Sequence, residues 1–236
     1  MGESPPTLEV IALTVADARA AERGGADRLE VVRAIEADGL TPAVEMVVLM
    51  RDCVRLPLRV MLRSNAGFAV DKAEVAALCR AARALRRAGA EQFVFGFLTP
   101  ARALDLAAIA ALQDAVAPCA WTLHRAFDHA ADARRAWEAI QGLPGLDLVL
   151  SSGGPDGLAA GLATLRARAG WQTERVRWLA GGGLRAEHLP GLRAAGIAQF
   201  HAGRAARRGG RWDRPVDEGE VRRLKETAGR PPPRAN

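Results

Sequence analysis

Short apolar runs alternate along this chain with longer stretches of helical spacing, and the alternation holds from residue 7 to residue 228. The apolar runs predict strands over 7–13, 28–32, 58–62, 92–98, 120–124, 147–150, 175–180 and 197–201. Between them, apolar positions three and four apart predict helices over 15–23, 42–54, 72–88, 105–116, 157–168, 187–195 and 216–228, and one more between Asp132 and Gly142. The fourth run, Gln-Phe-Val-Phe-Gly-Phe-Leu, is apolar almost throughout, as a parallel strand covered on both faces should be. Thr41 is placed to N-cap a helix that opens on Pro42, Asp71 and Asp132 to cap later ones, and Asp38-Gly39 marks a turn. Met46 and Met50, four apart, have core spacing.

A weak internal repeat sharpens the pattern. Gly25-Ala26-Asp27-Arg28-Leu29-Glu30, Gly89-Ala90-Glu91-Gln92-Phe93-Val94 and Gly196-Ile197-Ala198-Gln199-Phe200-His201 share one grammar. A helix closes at glycine, a short turn follows, and a strand begins, which is what a repeated βα unit requires. Eight such units predict an α/β chain folded as a single-domain (β/α)8 TIM-type barrel over 7–229, with disordered ends at 1–6 and 230–236. An open doubly wound sheet is the alternative, but no G-x-G-x-x-G follows the first strand.

Composition narrows the function classes. The chain has 236 residues, 49% hydrophobic, enough for the core of one such barrel. No run approaches the ~20 apolar residues of a membrane span. Residues 1–6 carry no signal-peptide or myristoylation pattern, so a cytoplasmic location is expected. The net charge of +6 is nearly all arginine, since Lys72 and Lys225 are the only lysines. The arginines are spread over several helices and tyrosine is absent, which argues against a nucleic-acid stripe and leaves a small anionic partner compatible. Cys53, Cys79 and Cys119 are far apart with no CxxC pair, so they read as thiols in a reducing compartment.

Chemistry concentrates at strand ends. Residues 121–128 read Trp-Thr-Leu-His-Arg-Ala-Phe-Asp, a short strand running into His124, Arg125 and Asp128. In a barrel these groups fall at the carboxyl-end face, where active sites are built. The plainer reading is a loop salt bridge between Arg125 and Asp128. Glu9 and Glu30 lie within predicted strands, while Arg63 and His201 end others. Charges inside a barrel need partners, so a network of these residues lines a pocket, fixes strand register, or does both. Gly181, Gly182 and Gly183 would let backbone N–H groups approach an anion, with Arg204 adding a cation nearby. His124 and His201 are the candidate metal ligands, joined by Glu9 or Glu30; no thiol is predicted to reach the mouth. Ser151 and Ser152 lack a nucleophile-elbow motif.

These motifs resemble one family. Leu8-Glu9-Val10 with Gly24-Gly25-Ala26-Asp27-Arg28-Leu29-Glu30, Gly39-Leu40-Thr41-Pro42, His124-Arg125-Ala126-Phe127-Asp128, Ser151-Ser152-Gly153-Gly154 and Ala180-Gly181-Gly182-Gly183-Leu184 are similar to segments of the CutC copper-homeostasis family, in consistent order over residues 7–205. The resemblance implies a TIM-type barrel, a cytoplasmic homo-oligomer such as a dimer, and a role in copper tolerance with copper(I) as the bound ion. It carries over Glu9, Glu30, Arg63, His124, Arg125, Asp128 and His201. It does not carry over a thiolate copper site, because Ile11, Ala12 and Val32 stand where many members have cysteines, and Ala202 and Gly203 replace the small hydroxyl residues after the last histidine.

Three readings follow. The first is a copper-handling protein. The second is a metal-independent enzyme for a small anionic or phosphorylated metabolite. In it His124 is a general acid or base oriented by Asp128, Glu9 or Glu30 is its carboxylate counterpart, and Arg63, Arg125 and the glycine loop hold the anion. The third is a scaffold whose polar layer only holds the barrel together.

Overall fold

The structure is a computed structural model and describes residues 5–231. The expected disorder at 1–4 and 232–236 lies outside the described residues. Eight parallel strands close into one barrel in chain order: β1 (Thr7–Ala12), β2 (Arg28–Val31), β3 (Leu58–Met61), β4 (Gln92–Phe95), β5 (Ala120–Leu123), β6 (Leu146–Ser151), β7 (Arg177–Ala180) and β8 (Gln199–Ala202). β1 pairs with β8 and closes the cylinder, with Glu9 in register with both Arg28 and His201. Helices α1 (Val15–Arg23), α2 (Val44–Cys53), α3 (Lys72–Arg87), α4 (Leu106–Val116), α5 (Ala133–Ile140), α6 (Leu158–Ala167), α7 (Leu189–Ala194) and α8 (Glu218–Gly229) surround it.

The repeated glycine is a helix stop of one kind. Gly25, Gly89 and Gly196 all sit at φ between +83° and +94°. In each case the next residue's N–H returns five residues to a carbonyl: Ala26 to Ala21, Ala90 to Leu85, Ile197 to Leu192. This is the Schellman closure, and its left-handed position favours glycine. Asp71, Asp105 and Asp132 cap their helices through side-chain oxygens. Thr41 does not cap. α2 begins at Val44 after an extended Ala43, and the Thr41 hydroxyl instead accepts from Arg63 N at 2.8 Å and donates to Arg63 O at 3.0 Å. Tertiary pairing with the end of β3 wins over the local capping option. Helix seven is also shorter than expected, since residues Ala186–His188 form a 3-10 turn ahead of it.

Three apolar clusters result. The large one lies between strands and helices and holds Phe93, Phe95, Trp121, Phe127, Trp178 and Phe200. The smaller ones line the barrel interior: Ile11, Val32, Met61 and Val94 on one side, Leu148, Leu150 and Leu179 on the other. Beneath them Arg59 of β3 crosses the interior to Thr122 of β5 and pairs with Asp147 of β6 at 2.5 Å. Above them, the chain after β8 is anchored by Asp17. That buried carboxylate accepts from Arg207 at 2.8 Å, Val216 N at 2.9 Å and Leu13 N at 3.0 Å.

The loop after β6 is fixed by backbone contact. A Cβ on Gly161 of α6 would lie 2.0 Å from Ser152 O, and one on Gly153 would lie 2.0 Å from Gly161 O. Neither neighbour is a flexible side chain, so any larger residue must push the loop away from the helix. Gly161→Ala is therefore expected to cost about 3 kcal/mol, in the range of overpacked cores. The urea midpoint of unfolding measures it, and an unchanged midpoint would contradict the contact.

Candidate functional site

The strand ends open on a cavity of about 640 Å³ at the carboxyl-end face. That volume suits a small metabolite. Its floor is built by three strands. Glu9 of β1 is fully buried, with Oε2 accepting from Arg28 Nε at 2.5 Å and Oε1 sitting 2.7 Å from His201 Nδ1. The other imidazole nitrogen, Nε2, lies 3.8 Å from Glu30 Oε2. Glu30 Oε1 is buried with no hydrogen-bond partner among the described residues. Glu30 and His201 line the cavity, and Glu9 supports them from below.

Burial and charge set the protonation of this array. Burial opposes ionisation of Glu9, but Arg28 and then His201 overcome it and hold the carboxyl well below its usual range. Glu30 has no such compensation. Burial, with Glu9 adding to it, pushes its carboxyl up to about 7 against the opposing pull of His201. Burial also works against a charged His201, yet Glu30 and Glu9 outweigh it and raise the imidazole above its ordinary value. The floor thus sets an ionised Glu9 against an imidazole whose charged form the two carboxylates favour, with Glu30 close to its titration point at neutral pH.

The wall comes from β5 and its loop. His124 is 3% exposed. Its Nδ1 accepts from Ala126 N at 3.2 Å as the chain turns into the 3-10 helix Arg125–His129. This turn buries Phe127 against Trp178 and Trp137 and sends Asp128 outward to β6. Asp128 accepts from Ser151 Oγ at 2.5 Å, Ser152 Oγ at 2.8 Å, Ser152 N at 2.9 Å and Arg125 Nε at 3.0 Å. None of these bonds reaches His124, whose Nδ1 is taken by Ala126 N, so Asp128 clamps two loops rather than orienting the imidazole as expected. The four-residue spacing suggests a meeting that the 3-10 turn forbids. Burial, then Arg63, lowers the His124 imidazole to about 3, so it stays neutral at physiological pH. An imidazole in that state is a weak proton acceptor near pH 7.

Other expected residues divide in the same way. Arg63 lines the cavity, but three of its N–H groups go to the carbonyls of Asp38, Ala66 and Gly67, and its guanidinium sits 4.9 Å over Phe68. It holds the loop after β3 more than it holds a ligand. Arg125 faces the cavity and stands beside Gly182, where a Cβ would lie 2.9 Å from Arg125 Nε. Gly182, Gly183 and Arg204 line the same space. Gly181 does not, because its N–H is spent on Ser151 O at 3.1 Å and it packs on Leu150 and His201. The N–H groups of Gly182 and Gly183 have no partner among the described residues.

The described residues contain one convergent group of possible metal ligands, Glu9, Glu30 and His201, with ligand atoms within 4.8 Å of one another. His124 is not in it, which corrects the expected His124–His201 pair. The donors are carboxylate and imidazole, and both Glu9 oxygens already serve Arg28 and His201. Cys53 ends α2, Cys79 lies in α3 and Cys119 precedes β5; none lines the cavity.

Sequence reasoning missed Arg28 and Arg59, buried cations that balance Glu9 from below, and Arg207 and Trp212, which roof the cavity. The available signal was alternation: Arg28 shares a strand face with Glu30, and Arg59 with Met61.

Comparison with known proteins agrees with the fold and the motif order. The model of the CutC family matches residues 7–206. A CutC family protein of Klebsiella pneumoniae is 35% identical over 197 residues, covering 83% of this chain and 78% of its own. The crystal structure of CutC from Streptococcus agalactiae superposes with a TM-score of 0.76 at 20% identity, covering 84% of this chain and 98% of that one. KGPDC from Streptococcus mutans in complex with D-R5P superposes with a TM-score of 0.63 at 16% identity, covering 94% and 97%. This last likeness is one of fold alone.

The raised carboxyl makes a testable difference in stability. The unfolded chain ionises Glu30 in the ordinary carboxylate range, whereas the folded protein keeps the proton up to about 7. Folding stability from this group is present at low pH and falls as pH rises through that window. Glu30→Gln removes the titration. Its melting temperature relative to wild type is expected to climb between pH 5 and pH 8, and a difference that does not change with pH would refute the buried-carboxyl assignment.

Proposed function

The chain belongs to the CutC family, and we propose that it is a barrel enzyme which holds a small phosphorylated metabolite in the cavity and moves a proton with Glu30. The observation that carries this reading is Glu30 itself. It is a buried carboxyl with one free oxygen, raised to about 7, facing an imidazole that a second carboxylate holds from behind. A base poised near the working pH is what general acid–base catalysis favours. Glu9 accepts the Nδ1–H of His201, and the charged ring, with Nε2 toward Glu30, stabilises Glu30 when it ionises. Proton abstraction in this arrangement grows as pH rises through about 7 and fades where His201 loses its proton.

The anion belongs at the opposite rim. Arg125, Gly182, Gly183 and Arg204 all line the cavity, and Arg125 is held in place by Asp128, Ser152 and the carbonyls of Gly154 and Pro155. Loops after the seventh and eighth strands are a usual phosphate position in this fold. The sugar phosphate on the Streptococcus mutans barrel of the same fold agrees with that chemical class. Melting the protein with inorganic phosphate and a panel of sugar phosphates tests the reading. At least one phosphorylated compound is expected to raise the melting temperature, with the shift lost in Arg125→Met; a panel without any shift would overturn it.

The copper reading rests on the family name, which the Streptococcus agalactiae relative also bears. Copper(I) prefers clustered thiolate and thioether donors, and among the described residues the cavity offers carboxylates, imidazoles and a lone thioether, Met61, with no thiol. The residues present do not fit that ion. Titration with copper(I) against a strong chelator is expected to show no stoichiometric binding; tight binding lost in His201→Ala would reverse this conclusion.

A further inference from the structure

Glu30 and His201 account for a proton, but His124 has no part in moving one. It is nonetheless built with care. Gly96 of the segment after β4 leaves room for the ring, since a Cβ there would lie 3.1 Å from His124 Nδ1. Phe68 meets the ring edge-on at 5.5 Å. Because Nδ1 accepts the Ala126 N–H, the ring's own hydrogen belongs on Nε2. That Nε2 is buried, has no partner among the described residues, and belongs to a side chain lining the cavity. A buried donor without an acceptor costs about 1–3 kcal/mol, so its retention in the cavity that Glu30 also lines asks for an acceptor that arrives with the substrate.

From this geometry we infer that His124 Nε2–H is the donor that stabilises an oxyanion, and that the substrate carries a carbonyl next to the carbon from which Glu30 takes a proton. The inference rests on the proposed role of Glu30 as base. The step balances without a co-reactant. The Glu30 carboxylate takes the C–H proton, the C–H electron pair becomes the C=C bond of an enolate, and the carbonyl π pair moves onto oxygen. That oxygen then accepts the His124 hydrogen bond. Where the deprotonated carbon bears a hydroxyl the enolate is an enediolate: the hydroxyl proton passes to the oxyanion, the Glu30 carboxyl returns its proton to the former carbonyl carbon, and the carbonyl is remade on the neighbouring carbon, giving the aldose–ketose isomer with no net change in oxidation level. A neutral imidazole suits the role because its N–H bond strengthens as charge builds on oxygen while the proton stays on nitrogen. Burial, with the Arg63 and Arg125 guanidinium groups, keeps the ring neutral, and the two cations add to the field at the same oxygen. The reaction class is therefore enolisation of a phosphorylated aldehyde or ketone.

Deuterium wash-in tests this without knowledge of the product. The full chain is incubated in D2O with ribulose 5-phosphate and dihydroxyacetone phosphate, and with their carbonyl-free analogues ribitol 5-phosphate and glycerol 3-phosphate. Binding is followed by calorimetry and C–H exchange by proton NMR. Exchange next to the carbonyl of at least one ketose phosphate is expected, abolished in Glu30→Gln. His124→Phe is expected to slow exchange about 100-fold, as loss of an oxyanion donor does, with the dissociation constant changed less than about threefold. His124→Gln keeps a neutral N–H and is expected to retain more of the rate, which separates donor loss from misfolding. Exchange undiminished in both variants would overturn the role of His124 and leave the base intact. Tight binding of all four compounds without wash-in would overturn the carbonyl class while sparing the anion site. Absence of both binding and exchange would overturn the enzyme reading and this inference with it.

Discussion

Every feature of the site depends on one requirement, that charge enclosed in a barrel must be balanced there. Glu9 is the centre of that balance. It is fully buried, and its two oxygens face Arg28 on one neighbouring strand and His201 on the other. Breaking such a pair by removing one partner leaves an uncompensated buried charge, which is why these interactions are costly to disturb even where they add little net stability. Arg59, Thr122 and Asp147 settle a second set of charges below. What remains unbalanced is Glu30, and the carboxyl responds by keeping its proton to about 7. The reactive group is the remainder of the balance made beneath it.

The wall follows a different logic. His124 is placed by a backbone N–H and a glycine-sized gap, and Arg125 by a carboxylate shared with two serines of the next loop. Both of these side chains are held by a group one step further out. That arrangement limits rotamer freedom before a ligand arrives, which lowers the ordering cost of binding. The two histidines consequently differ in kind: the floor histidine is charged by its carboxylates, while the wall histidine is kept neutral by burial and guanidinium groups.

Much of this was legible from the chain. Eight βα units announce themselves because periodicity changes between strand and helix, and Gly25, Gly89 and Gly196 mark the helix stops. Glu9, Glu30 and His201 stand out as polar positions in apolar runs, and the structure brings all three together. The rest was hidden for identifiable reasons. Arg28 and Arg59 open or follow a strand start, where an arginine reads as solvated. Thr41 offers a good cap by local rules, but its hydroxyl is taken by Arg63 from a distant strand. Asp128 sits at a spacing that suggests contact with His124, and only the 3-10 turn reveals that it faces Ser151 and Ser152. Gly181 looks equivalent to Gly182 and Gly183 until strand pairing uses its N–H.

The seam between β1 and β8 also bears on how the chain is made. Glu9 emerges from the ribosome 192 residues before its partner His201. Until then two strand edges stay open and an ionised carboxylate lacks one of its two neighbours. Pairings this distant in sequence bring slow, late closure and a period of exposure to aggregation. The nascent barrel therefore passes through translation as an unsealed curved sheet, and chaperone dependence should be judged against that interval.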